Sequence, residues 1–182
     1  MLAIETELPG VYILEPKIFC DERGWFMETW SLVKMSELDS QFCFVQDNHS
    51  YSAKKGTLRG IHFQNGMAAQ AKLVRCIKGR LLDVAVDLRK ASPAYKKWIA
   101  VELSAENKRQ LLIPRGFGHG FLTLTDDVEF LYKVDNPYNA TADRGIRWND
   151  PELAINWGIT VPFVSEKDAV APLLRDSDCN FT

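Results

Sequence analysis

The chain has 182 residues, 46% hydrophobic and 25% charged, with 22 Lys and Arg against 24 Asp and Glu for a net charge of −2. That length suits one domain spanning residues 1–182, and the composition excludes a disordered chain, a collagen and a coiled-coil rod. The small negative charge argues against a general polyanion binder, so no nucleic acid is expected, while a small anion held by a few local Arg and Lys fits.

The first nine residues carry acids where an export signal needs a basic start and an apolar run. No apolar stretch approaches the roughly 20 residues that cross a bilayer, so no membrane is expected. Cys20, Cys43, Cys76 and Cys179 are scattered without a CxxC pair. They read as reduced thiols of a cytoplasmic protein, on a spacing unsuited to zinc.

Period-two hydrophobicity dominates the chain from residue 11 onward. Strands are expected at 11–14, 25–30, 44–47, 57–63, 72–77, 81–88, 98–103, 110–113, 121–124 and 128–134. Over 81–88, Leu82, Val84, Val86 and Leu88 share one face and Leu81, Asp83, Ala85 and Asp87 the other. Turn signals at Lys54-Lys55-Gly56, Lys78-Gly79, Pro114-Arg115-Gly116 and Asp126-Asp127 separate the strands. One helix is expected at 31–38, capped by Ser31 and with Glu37 late in it, and short helices around 150–153. Many short strands in a chain of this size predict an all-β protein, a barrel or jelly roll, a shape that often keeps a ligand cavity.

Several polar residues stand out against this pattern. Arg59 and His62 are three apart on one strand, so strict alternation sends them to opposite faces. Gly60 between them marks a bulge that would re-aim one of them, but pattern alone favours a surface Arg beside a satisfied core His. Lys72 shares its face with Val74 and Cys76, and is either a buried ammonium needing an anionic partner or a strand-end Lys reaching water. Tyr132, in step with Val128, Phe130 and Val134, reads first as core, and otherwise as a phenol delivered into a cavity as proton donor. His119 lies between Gly118 and Gly120, which allow close approach of a ligand or backbone. Asp168 alone is a solvated acid, and matters only if it reaches His62 and fixes its tautomer. Arg23, beside Trp25 and Phe26, belongs to an edge strand or to a lip holding a ring or a phosphate. The three histidines, His49, His62 and His119, lack the close spacing of a local metal triad, so no metal is expected.

Six ordered blocks resemble one family: Asp21–Phe26, Leu58–Gln64, Gln70–Arg75, Asp83–Arg89, Pro114–Phe121 and Arg144–Pro151. Together they look like the dTDP-4-dehydrorhamnose 3,5-epimerase family over nearly the whole chain. The resemblance implies a cupin-like jelly-roll barrel with short peripheral helices, a homodimer, no cofactor, and a dTDP-linked 4-keto-6-deoxyhexose as substrate. By motif position it implies His62 as catalytic base, Asp168 as its carboxylate partner, Tyr132 as proton donor and Lys72 beside the sugar carbonyl. It further implies substrate contacts from Arg23, Phe26, Glu28, Gln46, Asn48, Arg59, His119, Tyr138, Asp143 and Lys167. Gly118 stands where Ala is common, Ala71 where Gly is, Arg80 where an acid is frequent, and Asp143 where Glu is frequent. The alternatives are an epimerase acting at one carbon only and a barrel that binds a nucleotide sugar without chemistry.

Overall fold

The structure, a computed structural model, describes residues 1–36, 38 and 43–182. In chain order its strands are β1 (Leu2–Glu5), β2 (Tyr12–Glu15), β3 (Ile18–Asp21), β4 (Gly24–Met27), β5 (Gln46–Ser52), β6 (Leu58–Gln64), β7 (Lys72–Lys78), β8 (Arg80–Asp87), β9 (Trp98–Ser104), β10 (Gln110–Ile113), β11 (Phe117–Thr123), β12 (Val128–Val134) and β13 (Asp143–Gly145). Two short helices accompany them, α1 (Leu32–Ser36) and α2 (Glu166–Ala169). No helix among the described residues is long and apolar enough to cross a membrane.

The strands form a six-stranded sheet, β1-β2-β10-β7-β12-β5, and a five-stranded sheet, β13-β6-β11-β8-β9. Every pairing between neighbouring strands in them is antiparallel. The strand order jumps along the sequence, as a jelly roll requires, and apolar side chains from both inner faces fill the space between the sheets. Val74, Leu111 and Phe130 come from one sheet and Leu81, Ala85 and Phe121 from the other. A second apolar layer lies beneath the C-terminal segment, where Val84 and Val86 of β8 and the following Leu88 meet Ile146, Leu153 and Trp157. β8 is therefore buried on both faces, and its two acids, Asp83 and Asp87, are fully buried. A third, smaller layer holds Met35 of α1 against Leu14, Leu73 and Leu112 on the outside of the six-stranded sheet.

Where the observed elements differ from the hydrophobic pattern, packing explains the difference. β11 starts at Phe117, ahead of the expected 121, and takes in Gly118 and Gly120. Glycine disfavours strands, but a Cβ at Gly120 would stand 2.9 Å from the Arg59 carbonyl oxygen. Glycine is what lets β6 approach this closely. β5 runs over Gln46–Ser52, a polar sequence without apolar alternation, because it is the edge strand of its sheet. β1, β3 and β13 are four, four and three residues long, too short to show a period. The expected strand 25–30 ends at Met27. The expected helix 31–38 shortens to α1, and Glu37 lies outside the described residues. Residues 150–153 form turns in place of a helix: the Asp150 carboxylate accepts the Glu152 and Leu153 amides at 2.7 and 3.1 Å and the Leu174 amide at 2.6 Å.

Candidate active site

The site begins with a break in register. Opposite β11, His62 pairs with His119 and Arg59 with Phe121, so Gly60 and Ile61 together oppose Gly120 alone. This is a β-bulge, and it shifts the alternation by one. Arg59 and His62, which a regular strand would point apart, both line one cavity of about 520 Å3 between the sheets. Gly60 has φ of +126°, and a Cβ there would stand 2.6 Å from the Gly120 Cα. Only glycine fits.

His62 Nε2 lies 2.6 Å from Asp168 Oδ1. The carboxylate is nearly enclosed, with 5% of its side chain exposed, while the imidazole is one-third open to the cavity. Asp168 is held by α2, whose N-cap Ser165 accepts its amide at 3.1 Å. The Gly60 amide donates to the other carboxylate oxygen at 3.3 Å. Burial pushes the Asp168 carboxyl up, but His62, Gly60 and Ser165 outweigh it and hold the group below its ordinary value.

Tyr132 stands on the opposite wall, on β12 of the six-stranded sheet, and Lys72 on its neighbour β7, paired with Val134. Both line the cavity that His62 lines. Burial pushes the Tyr132 phenol up, the Arg59 cation opposes it and Asp143 adds to it, so the phenol keeps its proton at neutral pH. Lys72 is buried, and no carboxylate lies within ion-pair distance of it among the described residues. Burial lowers its ammonium to about 8, against the pull of Asp83 and Asp143.

His119, beside His62 on β11, is also buried and lines the cavity. Its Nε2 sits 3.0 Å from each carboxylate oxygen of Asp83. The sequence pattern sets Asp83 in step with Leu81 and Ala85 but assigns it no place in the site. Ser50 was missed as well: it lines the same cavity, and its buried hydroxyl has no hydrogen-bond partner among the described residues.

A second lobe of about 320 Å3 shares His62, Lys72, Tyr132 and Lys167 with the first. Gln46, Asn48, Tyr138 and Asp143 line it. Lys167 Nζ donates to Asp143 Oδ2 at 2.5 Å, and the Tyr138 hydroxyl reaches the same oxygen at 3.3 Å. The Tyr138 ring is exposed at the rim. The two lobes together have the volume of a pocket for a ligand larger than a simple sugar.

Arg23, Phe26 and Glu28 are not among the residues that line this cavity within the one chain. They belong to the β3–β4 hairpin and the residue following it, and the hairpin forms a two-stranded sheet of its own. Arg23 and Phe26 line a separate hollow. The Arg23 guanidinium is spent on Asp21 at 2.6 Å, and Glu28 on Lys34 at 2.7 Å.

The fold and the site define a class: a jelly-roll protein whose cavity sets a histidine–aspartate pair on one wall against a phenol and an ammonium on the other. The chain belongs to the dTDP-4-dehydrorhamnose 3,5-epimerase family, whose model matches residues 5–176. It is 54% identical over 176 residues to the dTDP-4-dehydrorhamnose 3,5-epimerase of Salmonella typhimurium, covering 96% of each chain. The crystal structure of dTDP-4-dehydrorhamnose 3,5-epimerase from Bacillus anthracis with TDP and PPi bound is 49% identical, with a TM-score of 0.92 over 95% of this chain and 99% of that one. The dTDP-6-deoxy-D-glucose-3,5-epimerase of Legionella pneumophila, in complex with dTDP-4-keto-L-rhamnose, is 44% identical, with a TM-score of 0.93 over 97% and 94%.

Proposed function

We propose that this protein is a cytoplasmic isomerase that inverts carbons 3 and 5 of a dTDP-4-keto-6-deoxyhexose, turning dTDP-4-dehydro-6-deoxyglucose into dTDP-4-dehydrorhamnose. One observation carries the reading: His62 and Tyr132 enter a shared cavity from facing sheets, with Lys72 on the phenol's side.

The ketone at carbon 4 acidifies the hydrogens on both its neighbours, because the carbanion delocalises into an enolate. His62 takes the proton, its neutral imidazole becoming an imidazolium that Asp168 stabilises. The bonding electron pair moves onto the keto oxygen, where the Lys72 ammonium offsets the negative charge, a kind of stabilisation worth about 3 kcal/mol in a water-poor site. Inversion needs the new proton on the other face, and the Tyr132 phenol delivers it. The phenolate and the imidazolium then return to their starting forms by exchange with solvent. The same pair serves each carbon in turn. Arg59 and Lys167 suit the diphosphate, and Tyr138 with Gln46 and Asn48 suit the base and sugar of the nucleotide.

We also propose that the working form is a homodimer. The β3–β4 hairpin presents Phe19, Trp25 and Phe26 at 52%, 57% and 68% exposure, an apolar surface that a second copy would cover. The hairpin pairs with neither of the two main sheets, and in this reading it carries Arg23, Phe26 and Glu28 to the cavity of the partner.

Proton NMR in heavy water, with dTDP-4-keto-6-deoxyglucose as substrate, tests the reaction. The expected result is loss of the signals at both carbons and appearance of the inverted product. Label at one carbon only would replace this reading with a one-carbon epimerase, and tight binding without any label would replace it with a binding protein.

A further inference from the structure

Asp83 is fully buried, so it forms no part of the cavity surface, yet it contacts His119, which lines the cavity, and its charge acts on Lys72, which lines it too. Its oxygens both sit 3.0 Å from His119 Nε2. A carboxylate can only accept, so Nε2 carries the proton in that contact. A neutral imidazole has one N–H, which leaves Nδ1 as the remaining acceptor of the ring. Neutrality is enforced by the surroundings: burial depresses His119, Asp83 opposes this, and Lys72 and His62 depress it further.

Lys72 has neighbours from both sheets. β10 sets the uncharged Ile113 beside it and β12 brings Tyr132. The facing sheet contributes His62 from β6, His119 from β11, Asp83 from β8 and Asp143 from β13. Lys167 of α2 closes the second lobe. Two carboxylates therefore act on Lys72, and they are not equivalent. Asp143 already holds the Lys167 ammonium at 2.5 Å. Asp83 hydrogen-bonds to His119, which is neutral, and among the described residues no Lys or Arg lies within ion-pair distance of it.

We propose that Asp83 is a positioning residue of the epimerase reaction: it locks His119 in the Nε2–H tautomer, presenting Nδ1 as an acceptor for a substrate hydroxyl, and its charge keeps Lys72 in the ammonium form that the enolate needs. The proposal rests on the assignment of Lys72 as the cation facing the keto oxygen. With that ammonium at about 8, loss of one nearby negative charge brings its titration into the working pH range.

The test uses NMR on the free protein, independent of turnover. Nitrogen-15 shifts of the wild-type chain should show His119 as the neutral Nε2–H tautomer; the Nδ1–H tautomer would overturn the proposal whether or not any variant folds. In folded Asp83→Asn, the Lys72 side-chain titration should move down by about one pH unit, a size typical of losing one nearby opposite charge. The alkaline limb of the kcat/KM profile should move down with it, which a purely structural role would not cause. An unchanged Lys72 titration in folded Asp83→Asn would overturn the proposal. Absence of deuterium uptake in the wild-type protein would instead remove the epimerase reading, leaving the tautomer and titration results to stand on their own.

Discussion

His62 and Asp168 lie 106 positions apart in the chain and 2.6 Å apart in space. The contact exists because the C-terminal segment turns back across the five-stranded sheet. There Phe163 bridges to Thr57, and α2 begins two residues later at its Ser165 cap. His62 is fixed on the barrel, and the carboxylate beside it is supplied by a strap laid over it.

Asp168→Asn keeps the shape of that contact and removes its charge. We expect turnover to fall by about 100- to 10,000-fold, the range for disabling a positioned acid–base group. A stability effect accompanies it. The Asp168 carboxyl is held below its ordinary value of 3.8, so its contribution to folding is present above about pH 4 and is lost as pH falls through the native value. The gap in Tm between wild type and Asp168→Asn should therefore narrow in acid. A gap that widens there would contradict the assignment.

Tyr132→Phe separates abstraction from redelivery. With the phenol gone and His62 intact, solvent deuterium should still enter at carbons 3 and 5 from the histidine side. Inversion should slow by about 100-fold or more. His62→Ala should abolish both. Monitoring exchange and product together by NMR distinguishes the two roles, and a Tyr132→Phe enzyme that inverts at the wild-type rate would rule out the phenol as donor.

Lys72→Met should make the protein more stable and nearly inactive. The ammonium is buried with no ion-pair partner among the described residues and is depressed to about 8 from 10.5, so folding bears a cost that an apolar side chain of similar length avoids. The cost also depends on pH. Below about pH 8 the lysine is charged in both folded and unfolded chains, and the cost is present in full. Between 8 and 10.5 the folded form sheds its proton, and the cost declines. Denaturant melts should show a gain of about 1–3 kcal/mol at neutral pH, shrinking above pH 8. A loss of stability at neutral pH would mean that the attraction of Asp83 and Asp143 outweighs the cost of burying the Lys72 ammonium.

Much of this architecture was legible in the sequence. Alternation over 72–77 and 128–134 placed Lys72 and Tyr132 on inward faces, and both do face the cavity. The gathering of Arg59 and His62 was readable only through Gly60, since the bulge depends on how closely β11 approaches, and that in turn depends on two glycines a pattern search treats as breaks. Asp83 stayed hidden for a different reason: the fully apolar row Leu82, Val84, Val86 and Leu88 reads as the core face, but that row lies under the C-terminal segment, and the face of Asp83, Leu81 and Ala85 is the one turned to the other sheet. The placement of Arg23, Phe26 and Glu28 was beyond any local reading. The hairpin is well formed, with its four residue pairs in register, but what it packs against is not decided by its own residues.

Packing beneath the two histidines limits the residue at position 118. Gly118 precedes His119 on β11, and a Cβ at this position would overlap the Cγ2 methyl of Ile61 and stand 3.1 Å from Leu88 Cδ1. The backbone at Gly118 is ordinary strand, so the obstacle to alanine is space, set by the β-branch of Ile61 next to His62. Gly118→Ala should cost about 1–3 kcal/mol, as overpacking of a filled core does, and should weaken activity by displacing His119 or His62. Ile61→Leu removes the γ2 methyl, leaves a side chain of equal volume and should cost under about 1.5 kcal/mol alone. The double variant should then be more stable than the sum of its single changes, with activity partly restored. A thermodynamic cycle from denaturant melts gives the coupling directly. Strict additivity would show that the clash is relieved elsewhere, and that Ile61 does not set the residue allowed at position 118.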